Sequence, residues 1–239
     1  NTTEGINLVA NSLDWGKKDK IVTTVIEHHS NFITWLRVGK RYGTKVEVVR
    51  PSVEGAFDLG DFEKAVDDRT RLVAVTHVSN VLGCIVPIKE ICEIAHDHGA
   101  LMLVDGAQGV PHIRTDVVDS KVDFLAFSGH KMLGPTGSGG LYIAEDELAS
   151  TEPLCIGGGT IADVSIDDYV LTVPPMRFEA GTPAIAQVIG LGEACSYLER
   201  VGMANVEAWD LKLANRLING LAEIDGVEVY GPMDPRQRV

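Results

Sequence analysis

Positive charge is scarce in this chain. Only 21 Lys and Arg stand against 34 Asp and Glu in 239 residues, a formal net charge of −13. Such a surface repels phosphate backbones and anionic headgroups, which argues against nucleic acid and membrane partners. It leaves room for a small anionic ligand held by local amides and hydroxyls. Cysteine is sparse too: Cys84, Cys92, Cys155 and Cys195 form no CxxC pair, and their spacing suggests no zinc site. Reduced thiols in a cytoplasmic protein fit this usage better than a disulfide framework. Long apolar runs are absent. The longest uncharged stretch, residues 72–88, contains His77, Ser79, Asn80, Gly83 and Pro87 and cannot span a bilayer. The opening Asn1-Thr2-Thr3-Glu4 lacks the basic and apolar regions of a secretory leader. No GxGxxG follows the first strand-like run, and the GxxxxG of Gly134 to Gly139 continues as Gly140-Leu141 where a P-loop needs Lys and Ser or Thr.

What remains is an ordinary folding composition, 45% apolar and 23% charged, with ample length for a core. Short Val-, Ile- and Leu-rich runs at 20–25, 45–49, 72–75, 100–104 and 124–127 suit a parallel sheet buried on both faces. Amphipathic stretches at 32–42, 59–66 and 88–98 separate them, the last with Ile88, Ile91, Cys92 and Ala95 on one stripe. Asp58 and Gly99 read as helix start and stop signals. The alternation predicts an α/β fold with a mostly parallel sheet. After Gly140 come another strand at 141–144, a Gly-rich acidic loop at 155–168, long helices at 184–201 and 204–223, and a strand-like piece at 227–230. This organisation reads as a large domain over 1–200, then a linker helix and the start of a smaller C-terminal α+β domain over 201–239. The opening and closing residues read as those of a piece of a longer protein.

In open α/β sheets, ligands sit outside the carboxyl ends of the strands. That edge collects His28 and His29, Asn80, Asp105 and Gln108, and Ser128, His130 and Lys131. Singly, each has an ordinary structural explanation, since an Asp after a strand caps helices and a Lys is usually solvated. Their joint placement points to a functional site. A lysine, a carboxylate and a flat ring together suit a pyridine aldehyde: amine to aldehyde, carboxylate to ring nitrogen, ring on ring. A helix start at Thr2-Thr3, with the Ser128 hydroxyl, would suit that cofactor's phosphate.

Six segments carry a further resemblance. They are Thr2-Thr3-Glu4-Gly5-Ile6-Asn7, Glu27-His28-His29-Ser30-Asn31, the run from His77 to Gly83, Asp105-Gly106-Ala107-Gln108, Phe127-Ser128-Gly129-His130-Lys131, and Phe178-Glu179-Ala180-Gly181-Thr182-Pro183. In order and with natural spacing, they resemble class V aminotransferase-like, fold-type I pyridoxal 5'-phosphate enzymes, and within these the SUF-type cysteine desulfurases. The resemblance implies a three-layer PLP-transferase large domain. It implies that Lys131 is the Schiff-base lysine and proton shuttle, that Asp105 pairs with the pyridine nitrogen, and that Gln108 bonds the phenolic oxygen. His28 would stack on the ring and Asn80 would lie against the cofactor. Thr2, Thr3, Ser128 and His130 would serve its phosphate, with Gly181 and Thr182 reaching the phosphate of a neighbouring subunit in a homodimer with shared active sites.

The implied reaction turns L-cysteine into L-alanine and passes sulfur, as an enzyme persulfide, toward iron–sulfur assembly through a sulfur-acceptor protein. Selenocysteine lyase, a kynureninase-like hydrolase and a catalytically incomplete cofactor-binding core are the alternatives. The family's persulfide cysteine and carboxylate-binding arginine find no matching motif here. Cys84, Cys92 and Cys195 read as core, and Cys155, beside the Gly-rich loop, is the one candidate for reactivity.

Overall fold

The computed structural model describes residues 1–52 and 54–239. Its centre is a six-stranded sheet built from β1 (Lys20–Thr24), β2 (Lys45–Val49), β3 (Thr70–Thr76), β4 (Leu101–Asp105), β5 (Phe124–Ser128) and β6 (Gly139–Ile143). The strands lie in the order β2-β1-β3-β4-β5-β6, all parallel except β6, which returns antiparallel to β5. Because side chains alternate across a strand, the apolar runs feed two cores at once. Val22, Val73, Val75, Met102 and Val104 face one side, while Ile21, Leu72, Ala74 and Leu103 face the other.

Helices α3 (Leu59–Ala65) and α4 (Ile88–Asp97) cover the first face. Phe62 and the expected stripe of Ile88, Ile91, Cys92 and Ala95 are buried there. Asp58 caps α3 by accepting the Gly60 N–H, and Gly99 takes the left-handed conformation (φ 69°) just past α4. The second face packs α1 (Thr2–Ser12) and α2 (His29–Tyr42) through Ile6, Val9 and Trp35. Burying each large side chain contributes about 1.5–3 kcal/mol. Gly5 lets α1 press onto the sheet, since a Cβ there would lie 3.0 Å from the Ala126 Cβ. The result is three layers, with helices on both faces of the sheet. Two short helices, α5 (Gly109–His112) and α6 (Val117–Ser120), connect β4 to β5.

Two segments depart from the sequence reading. The loop expected over 155–168 contains β7 (Ile161–Val164), which pairs antiparallel with β8 (Tyr169–Leu171). A tight Ser165–Asp168 turn closes this hairpin, with Ser165 N–H donating to Asp168 O at 2.8 Å. Conversely, residues 227–230 form no strand. The last carbonyl of this stretch meets a side chain instead of a partner strand: Arg238 Nη2 donates to Tyr230 O at 2.6 Å. The long helices are α7 (Ile185–Val201) and α8 (Met203–Ala222), hinged at Gly202 with φ 84°. Both carry exposed apolar side chains, among them Ile185, Val188, Ile189, Trp209 and Leu217. The last residues return to the connection between β3 and α4, where Val239 N–H donates to Gly83 O and Ile85 N–H to Gln237 O.

Candidate active site

The carboxyl ends of β1, β4 and β5 and the start of α1 open into one cavity of about 620 Å³. It is lined by Thr2 and Thr3 of α1, His28 and Ser30, Asp105 and Ala107, and Ser128, His130 and Lys131. The structure therefore gathers seven of the residues singled out by sequence around one space, although they come from four separate stretches of chain.

Local chemistry explains each placement. Asn1 caps α1 by accepting the Glu4 N–H at 3.0 Å, so the first turn of the helix faces the cavity. Ser128, the last residue of β5, holds that turn in place: Thr2 N–H donates to Ser128 Oγ at 2.9 Å and the two hydroxyls are 2.7 Å apart. Thr2 is buried by this pairing, whereas Thr3 stays exposed at the cavity wall. The 3₁₀ turn Gly129–Lys131 then brings His130 and Lys131 to the opening. Gly129 permits it, because a Cβ there would lie 2.3 Å from Ser138 Oγ.

Asp105 ends β4 almost fully buried, its Oδ1 accepting the Ala107 N–H at 2.9 Å. Burial pushes its proton affinity above the usual carboxylate range, while the Ala107 N–H and the charges of Lys131 and His28 oppose the rise. A cationic ring nitrogen beside it would reinforce that opposition. His28 caps α2: its Nδ1 accepts the Ser30 N–H at 3.1 Å. A hydroxyl chain continues from there, with Ser30 Oγ 3.1 Å from His28 Nδ1 and 2.7 Å from Thr3 Oγ1.

Asn80 and Gln108 lie elsewhere. They line a neighbouring, mostly apolar cavity of about 850 Å³ walled by α8 and by Arg238 and Val239. The two spaces meet in the chain at Ala107-Gln108. Gly181 and Thr182 are exposed and line neither cavity. None of the four cysteines lines the Lys131 cavity. Cys84 and Cys92 are buried, Cys195 half-buried and Cys155 exposed. Among the described residues, no group of His, Cys, Asp and Glu is placed to hold a metal, and no helix is long and apolar enough to cross a membrane.

Sequence reasoning missed Ser30, Thr136 and Gly137 as cavity residues. Ser30 had a usable signal: a hydroxyl in the first turn of a helix that begins at a strand's carboxyl end. Thr136 and Gly137 belong to the rejected GxxxxG run, whose turn reaches the same cavity by the β5–β6 connection.

The chain and its fold resemble known proteins. A probable cysteine desulfurase of Methanothermobacter thermautotrophicus is 49% identical over 99% of this chain and 58% of that protein. The apo structure of a cysteine desulfurase from Thermococcus onnurineus superposes with a TM-score of 0.94 at 45% identity, covering 100% of this chain and 60% of that one. A solved C-DES mutant, with glycine covalently linked to its PLP cofactor, gives a TM-score of 0.89 at 27% identity over 99% of this chain and 64% of its own. The chain thus spans about three-fifths of the length of these relatives. The three-layer sheet, the likeness over every element, and a match to the aminotransferase class-V family model from residue 1 to residue 239 together make this chain a member of that family.

Proposed function

We propose that this chain is the cofactor-binding part of a pyridoxal-phosphate-dependent cysteine desulfurase. The observation that carries the reading is the shared cavity: the first turn of α1, the buried Asp105, the His28 ring and the Lys131 amine line one space of about 620 Å³. That donor set fits the cofactor. Phosphate suits the exposed Thr3 hydroxyl and the helix N-terminus, where N–H groups and the helix dipole favour an anion. Asp105 suits a protonated pyridine nitrogen, Lys131 an aldehyde and His28 a flat ring. The cofactor, when bound, supplies an electron sink for the negative charge left at the substrate α-carbon.

The chain's own groups do the rest. Lys131 Nζ would hold the aldehyde of the cofactor and, as a free amine, would carry the α-proton of L-cysteine. Burial disfavours the negative charge of Asp105, and a protonated ring nitrogen beside it would be the partner that offsets this and keeps the carboxylate ionised. Ser128 acts through Thr2, fixing the first turn of α1 at the phosphate position. In the overall reaction the C–S bond of cysteine breaks, an S–S bond forms to an enzyme thiol, and alanine gains a proton at carbon. With no cysteine on this cavity, we assign the persulfide sulfur and the substrate-carboxylate arginine to the length of the relatives that this chain does not span. Asn80 and Gln108 are proposed to serve the substrate and the phenolic oxygen from the adjoining cavity. The exposed Gly181-Thr182 segment and the apolar face of α7 are proposed for a second copy, and a domain boundary is proposed near residue 200. A cytoplasmic setting and a sulfur-accepting partner protein belong to the same reading.

The test is a visible absorption spectrum with added pyridoxal phosphate, before and after borohydride, beside Lys131→Ala. The expected result is a yellow band fixed by borohydride in the parent and missing in the variant. A folded parent with no such band refutes the proposal.

A further inference from the structure

Behind the cavity lies a buried carboxyl that the mechanism above does not use. Glu27 precedes His28 in the turn between β1 and α2. Its Oε1 accepts the Thr24 hydroxyl at 2.6 Å and the Thr76 N–H at 3.0 Å, and its Oε2 accepts Asn31 Nδ2 at 2.6 Å. The Asn31 amide is itself oriented, because its Oδ1 accepts the Trp35 indole N–H at 3.0 Å. The carboxyl thus ties β1, β3 and α2 together at the point where His28 leaves the sheet. Thr76 stands in register with Asp105 on the next strand, so the same tie adjoins the floor of the site.

The donor pattern calls for a carboxyl. Three donors converge on the two oxygens, one on Oε2 and two on Oε1. An amide at this position fails either way round. Turned one way, its NH₂ meets the Thr76 N–H; turned the other, it meets the Asn31 NH₂, which the indole holds in place. A protonated carboxyl still fits, because the Thr24 hydroxyl can accept as well as donate. Burial pushes Glu27 up to about 8, the three hydrogen bonds oppose this, and the Asp105 charge adds to it. The other titratable groups near it are His28 beside it in the chain, His77 next to Thr76, and Cys84, whose thiol feels its charge.

We propose that Glu27 is a positioning residue for the cofactor site, its carboxyl locking the turn that presents the His28 ring. The proposal rests on the pyridoxal phosphate reading above. The ring cap, His28 Nδ1 accepting from Ser30, holds one side of this turn, and Glu27 holds the other.

The test compares wild type, Glu27→Gln and the double variant Glu27→Gln/Asn31→Asp, which moves the carboxyl across the pair and matches every donor again. Pyridoxal phosphate is titrated and followed by visible circular dichroism, which reads the asymmetry imposed on the bound ring. Without the cofactor, the Trp35 indole N–H signal reads the network itself. Glu27→Gln is expected to bind pyridoxal phosphate roughly tenfold more weakly, as one buried donor loses its acceptor. It should also weaken the dichroic band and shift the Trp35 indole signal, and the double variant should restore all three. In a His28→Ala background, Glu27→Gln should change the dichroic band no further. An unchanged band and indole signal in Glu27→Gln would overturn the proposal. So would a loss of dichroism that persists undiminished without the His28 ring, since that marks general loosening. No visible band in the wild type would overturn the functional reading beneath it. That failure is distinguishable, because the indole response needs no cofactor.

Discussion

His77 should make this fold sensitive to acid. Its side chain is buried at the end of β3, its backbone N–H donates to Asp105 O at 2.9 Å, and its Nδ1 has no hydrogen-bond partner among the described residues. Gly109 packs against the ring so closely that a Cβ there would lie 2.4 Å from Nδ1. Burial without a partner disfavours the imidazolium and holds the ring down at about 4, against 6.5 for an ordinary histidine. The folded chain therefore binds that proton less readily than the unfolded chain. The stability linked to His77 is complete above the unfolded value and is lost as pH falls from about 6.5 toward 4. At about 1.4 kcal/mol per pKa unit, the full loss is about 3 kcal/mol, of which roughly 2 kcal/mol is gone by about pH 5. Domains of this kind have about 5–15 kcal/mol in total, so the loss is large. The assay is urea unfolding near neutral pH and near pH 5, for wild type and for His77→Phe, which keeps a flat ring but cannot titrate. Other groups titrate in both proteins and cancel in the difference. His77→Phe should lose roughly 2 kcal/mol less than wild type on acidification. Equal losses would refute the reasoning.

Three further outcomes follow from the packing. Gly129→Ala should lower pyridoxal phosphate binding while the far-ultraviolet circular dichroism stays native, because the new Cβ would lie 2.3 Å from Ser138 Oγ; adding Ser138→Ala should recover part of the loss. Phe62→Ala empties a fully buried site beside Phe57, whose ring centroid is 5.6 Å away, and should cost about 3–5 kcal/mol in chemical denaturation. Iodoacetamide should label the exposed Cys155 readily and leave Cys92 untouched by mass spectrometry, since burial pushes the Cys92 thiol up to about 12. Equal labelling would contradict the core placement of Cys92.

Much of this fold is legible in the sequence because its strands are buried on both faces. The runs at the heart of β3, β4 and β5 are continuous apolar words, and the helix stripe of Ile88, Ile91, Cys92 and Ala95 repeats at the helical period. The hairpin of β7 and β8 was hidden because its strands are short and mostly exposed, so no apolar pattern marks them. Residues 227–230 misled for the opposite reason: they have strand-like composition but no neighbouring strand to pair with. Cavity residues at strand ends could be placed from topology alone, as Asp105 and Lys131 were. The bond between Thr2 and Ser128 could not, since it joins residues 126 apart through a contact with no local signature. Glu27 stood in a quoted motif, yet its burial depends on Thr24, Asn31 and Thr76 converging from three elements.

The central claim is that Lys131 is the residue that holds the cofactor aldehyde. Reducing the pyridoxal-phosphate-loaded chain with borohydride, digesting it and mapping the modified peptide by mass spectrometry tests this directly. The account predicts the pyridoxyl group on the peptide bearing Lys131 and on no other. A loaded, folded chain with the label on another lysine, or with none, would contradict it.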